Sequence, residues 1–203
     1  MLRVPYTPAE LRLFRRFQRP IEIQRFLDDE ILYNKEPGGQ TCYSPRMVIR
    51  HRTAHCMEGA MFAAAALEFL GHPARVMDLR ATRDTDHILA VFQDRGCWGA
   101  IAKSNFSGLR YREPVYRSLR ELAVSYFESY FNLRRERTLR AYSRPIRMSR
   151  FDYLNWRITD EPLWDVPYYL YDLKYLNVLP RRIQLTTVDR LSFRAGLVGH
   201  VTT

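Results

Sequence analysis

The residues of this sequence best suited to chemistry are a cysteine and a histidine that stand 31 residues apart. Cys56 comes at the start of an alanine-rich segment, where the unpaired N–H groups and the dipole of a helix stabilise a thiolate. The same N–H groups can bind the oxyanion that forms when a thiolate attacks a carbonyl. His87 begins a predicted strand, and a neutral imidazole can accept the thiol proton and return it to a leaving amine. The pair predicts nucleophilic chemistry on an amide or peptide; the alternative is that Cys56 is a small core residue.

The other histidines and the nearby acids give no second site. His55 is expected to cap the helix that Cys56 opens. Asp84 and Asp86 precede His87 and are expected in a solvated loop. The sequence has no Cys-x-x-Cys and no His-x-x-x-His pair, so its histidines lack metal-ligand spacing. We therefore expect neither a metal nor a cofactor.

Helix-start signals and hydrophobic periodicity predict the elements that position these residues. Thr7 and Ser44 are N-cap residues, each followed by proline, and Ser118 with Glu121 forms a capping box. The predicted helices cover 7–17, 21–32, a short segment from 44, 56–70 and 118–132. The predicted strands cover 74–79, 87–93, 97–102 and 181–187, with a polar loop at 33–40 and irregular aromatic structure at 151–175.

The order of these elements resembles the transglutaminase-like superfamily, which belongs to the wider papain-like fold. The matching features are Cys56 heading an alanine-rich helix, the Gly-His-Pro-Ala-Arg stretch 71–75 leading into a strand, His87 opening the next strand, and Trp98 in the one after. The resemblance covers about 44–105. It implies an α+β fold with a papain/transglutaminase-like core, in which the helix headed by Cys56 packs on an antiparallel sheet with flanking helices. It also implies a Cys-His-acid triad for thioester chemistry on amides.

The third member of the triad is where the sequence departs from this pattern, because no aspartate follows Trp98 before Asn105. If 94–96 is a three-residue hairpin loop, Gln93 lies opposite Cys97, and the same register places Lys103 opposite His87.

Asn105 then lies diagonally beside His87, within reach of a side chain. Papain-like proteases use asparagine to orient the imidazole, so Asn105 is the predicted orienting residue. Ser104 is the alternative if a bulge shifts the register by one residue. Lys103 beside His87 would lower the histidine pKa and oppose the imidazolium.

Composition excludes several classes of protein. Hydrophobic residues make up 46% and aromatic residues 13% of the 203 residues, which argues against disorder. The longest apolar run, 60–67, is too short to span a membrane, and the N-terminus has no apolar signal segment. Three cysteines do not form a disulfide framework. We expect a cytoplasmic protein without a membrane partner.

The chain is expected to form a single domain over 1–203. Its core would cover about 44–132, preceded by a helical segment 1–43. A basic and aromatic extension, 133–203, would pack on that core.

The basic charge lies mainly in the C-terminal half. Of the formal net charge of +10, +8 falls beyond residue 100, and 134–150 alone carries +6. Pro145 interrupts any continuous helix there, so the arginines are not expected to converge on one surface. We expect a solvated face or pairing with acids of the N-terminal half, and no nucleic-acid partner.

Two functions follow from these observations. In the first, the protein is a cysteine acyltransferase or amide hydrolase: Cys56 attacks an amide- or peptide-bearing substrate, which could be a protein, His87 moves the proton and Asn105 orients the imidazole. In the second, the same fold is catalytically silent and serves as a binding or scaffold protein. The order of Cys56 and His87 and the 71–75 stretch favour the first, which is the function we expect. The missing aspartate and the expected position of Lys103 are the arguments for the second.

Overall fold

The chain folds into helices packed on both faces of a largely antiparallel sheet, as a computed structural model describing residues 5–180 and 183–197 shows. The helices are α1 (Pro8–Arg16), α2 (Pro20–Asp29), α3 (Pro45–His51), α4 (Cys56–Phe69), α5 (Leu119–Val124), α6 (Asp165–Tyr171) and α7 (Arg190–Gly196). The strands are β1 (Leu32–Tyr33), β2 (Thr53–Ala54), β3 (Arg75–Ala81), β4 (His87–Asp94), β5 (Cys97–Ile101), β6 (Arg112–Tyr116), β7 (Leu139–Ser143), β8 (Ile146–Arg147) and β9 (Tyr175–Asn177). The expected α+β class is confirmed.

The first helices begin where the cap residues predict. The Thr7 side chain accepts a hydrogen bond from the Glu10 backbone, and the Glu10 carboxylate accepts one from the Thr7 backbone, which completes a capping box. Ser44 accepts from the backbone N–H of Met47 and so caps α3.

Helix α4 lies at the centre of the fold because its residues are small and apolar on nearly every side. Residues 57–67 are all buried between α1, α2 and α3 on one side and the sheet on the other. Gly59 allows the closest approach: a Cβ atom there would lie 2.5 Å from Cβ of Lys103.

The main sheet has the strand order β6-β5-β4-β3-β7-β9, with β8 also pairing with β3. All of these pairings are antiparallel, whereas β1 and β2 form a separate parallel pair. Since β7 pairs directly with β3, the core extends beyond the expected boundary at residue 132.

Alternation along the strands divides the apolar residues between two core layers. The face toward α4 carries Val76, Ile88, Ala90 and Phe92. The opposite face packs against α5 and the segment that follows it, and carries Met77, Leu79, Leu89 and Val91.

The β4–β5 hairpin corrects the expected register. Asp94 pairs with Cys97, and Gln93 pairs with Trp98, so the loop has two residues and not three. Arg95 and Gly96 both have positive φ, as a type I′ turn requires. The predicted position of Lys103 opposite His87 was therefore wrong, and the β4–β5 pairing ends at Ile101.

Two further predictions differ from the structure. The helix that begins after Ser118 ends at Val124, and a 3-10 turn over Phe127–Ser129 replaces the remainder of the predicted helix. Residues 183–187 form no strand, and the rest of the predicted strand, 181–182, lies outside the described residues. Among the described residues, no helix is both long enough and apolar enough to cross a membrane.

Candidate active site

Cys56 is the first residue of α4, as the sequence predicts. His55 is the N-cap: its Nδ1 accepts a hydrogen bond from the Met57 N–H at 3.2 Å. The Cys56 side chain is half-buried, and its sulfur lies 3.8 Å from the backbone carbonyl oxygen of Asp86, immediately before β4. The start of α4 and the start of β4 therefore meet at this cysteine.

The imidazoles of His55 and His87 both favour the thiolate form of Cys56. Burial alone would raise the pKa of the thiol, but the polar and electrostatic influence of these two imidazoles lowers it to about 5. The structure thus brings the predicted nucleophile and base together and adds a second histidine. Sequence reasoning assigned His55 only its capping role.

The pKa of His55 is shifted by the same proximity to Cys56. Burial opposes its protonation, but the Cys56 sulfur, the Glu58 carboxylate and the Thr41 carbonyl raise the pKa of His55 to about 9. Its Nε2 lies 3.0 Å from the carbonyl oxygen of Thr41 and 3.5 Å from Oε1 of Glu58. The imidazole therefore contacts the nucleophile and the loop before α3 at the same time.

His87 is held by a backbone carbonyl and by an aromatic ring. Its Nε2 lies 2.8 Å from the carbonyl oxygen of Leu109, and the imidazole is only 5% exposed. Tyr130 packs edge-on against it, and the Tyr130 hydroxyl donates to the Thr85 carbonyl at 2.7 Å. An imidazole that donates from Nε2 presents Nδ1 as its basic atom, so the contact with Leu109 fixes the tautomer needed beside Cys56.

Neither Asn105 nor Ser104 hydrogen-bonds to His87 in the described part of the chain. Both are buried, and the Ser104 hydroxyl accepts from the backbone N–H of Phe106 at 3.0 Å. The expected diagonal contact depended on the wrong hairpin register. The atom that contacts His87 Nε2 is the carbonyl oxygen of Leu109. Because every residue has a backbone carbonyl, the sequence gives no signal for such a contact.

Lys103 points away from the pair. Its ammonium donates to the carbonyl oxygens of Leu27 and Ile31 at the C-terminal end of α2. Burial lowers the pKa of Lys103 to about 8, but no contact joins it to His87. The expectation that Lys103 opposes a charged His87 is therefore incorrect.

Glu58 is the main residue of the site that sequence reasoning missed. Its carboxylate is fully buried and accepts four hydrogen bonds. The donors are the Asn34 amide, the Thr41 hydroxyl, the Tyr43 backbone and the His55 backbone. A glutamate three residues after an N-cap position was the available signal, but a capping box is usually recognised from serine or threonine. Glu58 ties the 34–43 loop to the start of α4.

An open cavity of about 550 Å³ lies in front of Cys56. The 34–43 loop forms one wall, and α6 with Trp164 and Tyr171 forms another. Its lining residues include Lys35, Glu36, His55, Cys56, Asp78 and Asp86. Because His87 does not line the cavity, a molecule bound there meets the thiol first.

The two acids before β4 shape the β3–β4 loop. Asp86 Oδ1 accepts from the backbone N–H of Ala81 at 2.8 Å, and Asp84 accepts from the Thr138 hydroxyl at 2.6 Å. Within 5–180 and 183–197, no group of three or more His, Cys, Asp or Glu side chains is placed to hold a metal ion.

No family model matches this sequence, and no curated protein matches it.

Proposed function

We propose that this protein is a transglutaminase-like cysteine acyltransferase or amide hydrolase with a papain-like core. The observation that carries the proposal is a Cys56 thiol at the start of α4 that faces a cavity of about 550 Å³ and whose pKa the imidazoles of His55 and His87 lower to about 5. Support for the papain-like assignment comes from α4 packing on an antiparallel sheet whose His-led strand meets the start of that helix. Amide- or peptide-bearing molecules, proteins among them, are the proposed substrates, and the cytoplasm is the proposed compartment.

In the acylation step, the Cys56 thiolate attacks the carbonyl carbon and forms a C–S bond. The backbone N–H of Cys56 is at the first helical position, where no intrahelical acceptor exists, and so is available to the oxyanion. Protonated His87 gives its Nδ1 proton to the leaving amine as the C–N bond breaks. The products are an acyl thioester on Cys56, a free amine and a neutral His87.

In the second step, an amine or water attacks the thioester and loses a proton to His87, and the Cys56 thiolate leaves. The Leu109 carbonyl keeps His87 in one orientation through both steps. A carbonyl oxygen has no formal charge, so it stabilises the imidazolium less than a carboxylate does. This is the observation that favours the silent alternative, whereas the displacement of Lys103 from His87 removes the other argument for it.

The C-terminal arginines support the exclusion of nucleic acid. Arg137 pairs with Glu128, Arg140 donates to the carbonyl oxygens of Arg137 and Leu139, and Arg150 lies over the Tyr169 ring. These side chains serve contacts within the chain. Fluorescence anisotropy with labelled single-stranded and duplex oligonucleotides should give no submicromolar binding at physiological salt.

The test of catalysis uses p-nitrophenyl acetate as an activated acyl donor. The wild type should show a burst of nitrophenolate and an acetyl group on the Cys56 peptide, followed by steady turnover. C56S should lack the burst, and H87N should lose at least about 100-fold in turnover. C97S, which removes another half-buried thiol, should behave as the wild type. Acetylation of Cys56 without turnover in the wild type would establish the silent alternative.

A further inference from the structure

One carboxylate in the wall of the cavity has an oxygen atom without a partner. Asp78 lies on β3 opposite Ile88, and its side chain is on the face toward α4. The residue is only 3% exposed, yet its Oδ1 makes no hydrogen bond in the described part of the chain. Buried carboxylate oxygens are nearly always paired, because an unpaired one loses its hydration without compensation.

The other oxygen of this carboxylate is already engaged. Oδ2 accepts from the Tyr175 hydroxyl, and the same hydroxyl lies 2.9 Å from the carbonyl oxygen of Leu170. The Asp78 backbone N–H is also bonded, to the Ser143 hydroxyl. These two contacts hold Asp78 in place, and Oδ1, which is itself buried, is left without a partner among the described residues.

Arg80, on the same strand face, forms no ion pair with Asp78. Arg80 donates to the Tyr171 carbonyl oxygen at 2.8 Å, lies over the Tyr175 ring at 3.5 Å and approaches Asp86 at 3.8 Å. No ion pair joins Asp78 to any described residue.

The charge of the cavity also differs from that of the whole protein. Three carboxylates line it, those of Glu36, Asp78 and Asp86, together with the Cys56 thiolate, against the ammonium of Lys35 and the imidazolium of His55. The chain as a whole carries a formal net charge of +10. An acidic cavity in a basic protein favours a cationic ligand there over an anionic one.

We propose that Asp78 is a specificity-determining residue that binds an alkylammonium group of the substrate, in the cavity beside Cys56. This inference rests on the proposed function only in treating the cavity as the substrate site. An ammonium is favoured over a guanidinium because a guanidinium binds a carboxylate through both oxygens, and Tyr175 occupies one of them. An ammonium is a point charge that needs only Oδ1.

The direct test is a titration with n-butylammonium chloride at about pH 8, where most of the Asp78 carboxyl is ionised, followed by amide NMR shifts of the residues that line the cavity. The wild type should show saturable shifts there, and D78N should bind at least about tenfold more weakly. D172N is the matched control, because Asp172 is exposed and follows Tyr171 without lining the cavity. Equal affinity in the wild type and D78N, or no saturable binding by the wild type, overturns the proposal.

A second variant separates charge from structure. Y175F removes the hydroxyl that holds Oδ2 but keeps the Asp78 carboxylate, so it should retain butylammonium binding. If Y175F loses binding as completely as D78N does while both remain folded by circular dichroism, then Asp78 acts through the Tyr175 contact and the proposal is wrong.

A labelling experiment gives an independent readout. Cys56 should react faster with a methanethiosulfonate that carries an ethylammonium than with one that carries an ethylsulfonate, and D78N should lower this rate ratio by about tenfold. An unchanged ratio in D78N contradicts the proposal.

The acyl-transfer assay then distinguishes the source of the ammonium group. If butylamine accelerates deacetylation of Cys56, the ammonium group belongs to the acyl acceptor. If butylamine slows acylation of Cys56, the ammonium group belongs to the acyl donor. Asp78-dependent binding without acyl turnover would refute the proposed function and leave the ammonium site standing.

Discussion

The Nε2 atom of His87 lies 2.8 Å from the backbone carbonyl oxygen of Leu109. Leu109 is the last residue of the 3-10 turn Ser107–Leu109. Arg112 stabilises this turn, because its guanidinium donates to the Gly108 carbonyl at 2.7 Å and stacks on the Tyr126 ring. The orientation of the imidazole is therefore set by a backbone turn, and the turn by an arginine in β6.

Replacing Asn105 should leave the reactive pair intact. Because the Leu109 carbonyl and not the Asn105 side chain contacts His87, N105A should alkylate at Cys56 within about twofold of the wild-type rate. The rate is measured by iodoacetamide labelling and peptide mass spectrometry. A loss as large as that of H87N in the same labelling assay would show that Asn105 is the orienting residue after all.

Replacing Arg112 should disturb the pair from a distance. R112Q loses the bonds to Gly108 and the 3.1 Å bond to the Ser125 carbonyl, so the 107–109 turn loosens. We expect a Cys56 alkylation rate lowered by about tenfold and a faster-exchanging His87 Nε2–H signal in the proton NMR spectrum. R117Q removes an exposed arginine of the next turn and is the control. An unchanged Nε2–H signal in R112Q would contradict the positioning role.

The alkylation rate of Cys56 should be almost independent of pH between about pH 6 and about pH 8, because the lowered thiol pKa keeps it ionised throughout. In urea-unfolded protein the same peptide should react about tenfold faster for each pH unit. H87N and H55N should each restore part of that slope. H55N is informative because asparagine keeps the N-cap while it removes the imidazole. A folded wild type with the unfolded slope would refute an activated thiol.

Replacing Glu58 should release the 34–43 loop. In E58Q an amide NH₂ replaces one acceptor oxygen and faces N–H and O–H donors, so we expect a loss of about 2 to 4 kcal/mol in the free energy of unfolding. Urea denaturation measures this loss, and limited proteolysis should cut first within 34–43. E161Q, at an exposed position, should change stability by less than about 0.5 kcal/mol. Equal stability of the two variants would exclude Glu58 as the anchor of the loop.

Asp78 should make the free energy of unfolding depend on pH. Burial raises the pKa of Asp78 to about 7, against the opposing hydrogen bond from Tyr175, and Asp86 and Cys56 raise it further. Between about pH 4 and about pH 7 the folded protein thus holds a proton that the unfolded chain has lost, so stability falls as pH rises. The upper bound of this effect is about 4 kcal/mol. Urea denaturation across this range should show a shallower slope for D78N, and identical slopes would contradict the assignment.

The helix starts could be predicted from the sequence because the interactions that cap a helix join residues three or four positions apart. Thr7, Ser44 and Cys56 each begin or precede a helix where capping and periodicity indicate. The end of the helix after Ser118 was not predictable in this way. The hydroxyls of Tyr126 and Tyr130 bond to the carbonyls of Arg110 and Thr85, and these distant contacts accompany the end of the helix at Val124.

The site shows the same division. The order of elements predicted that Cys56 and His87 would meet, because both stand at element starts. The third partner depended on a hairpin register, and a single residue decided it: Arg95 adopts a positive φ, at 47°, which a non-glycine residue rarely does. The sequence could not predict Asp78 as a residue of the cavity, for a different reason. Its contact with Tyr175 depends on the pairing of β9 with β7, which joins residues far apart in the sequence.

The position of β7 in the sheet has a consequence for synthesis on the ribosome. Every residue of the Cys56–His87 pair has been translated long before residues 139–143 emerge, yet β3 then presents one edge with no neighbouring strand. Unpaired strand edges invite association with other chains. A premature stop before residue 139 should therefore yield an aggregating fragment.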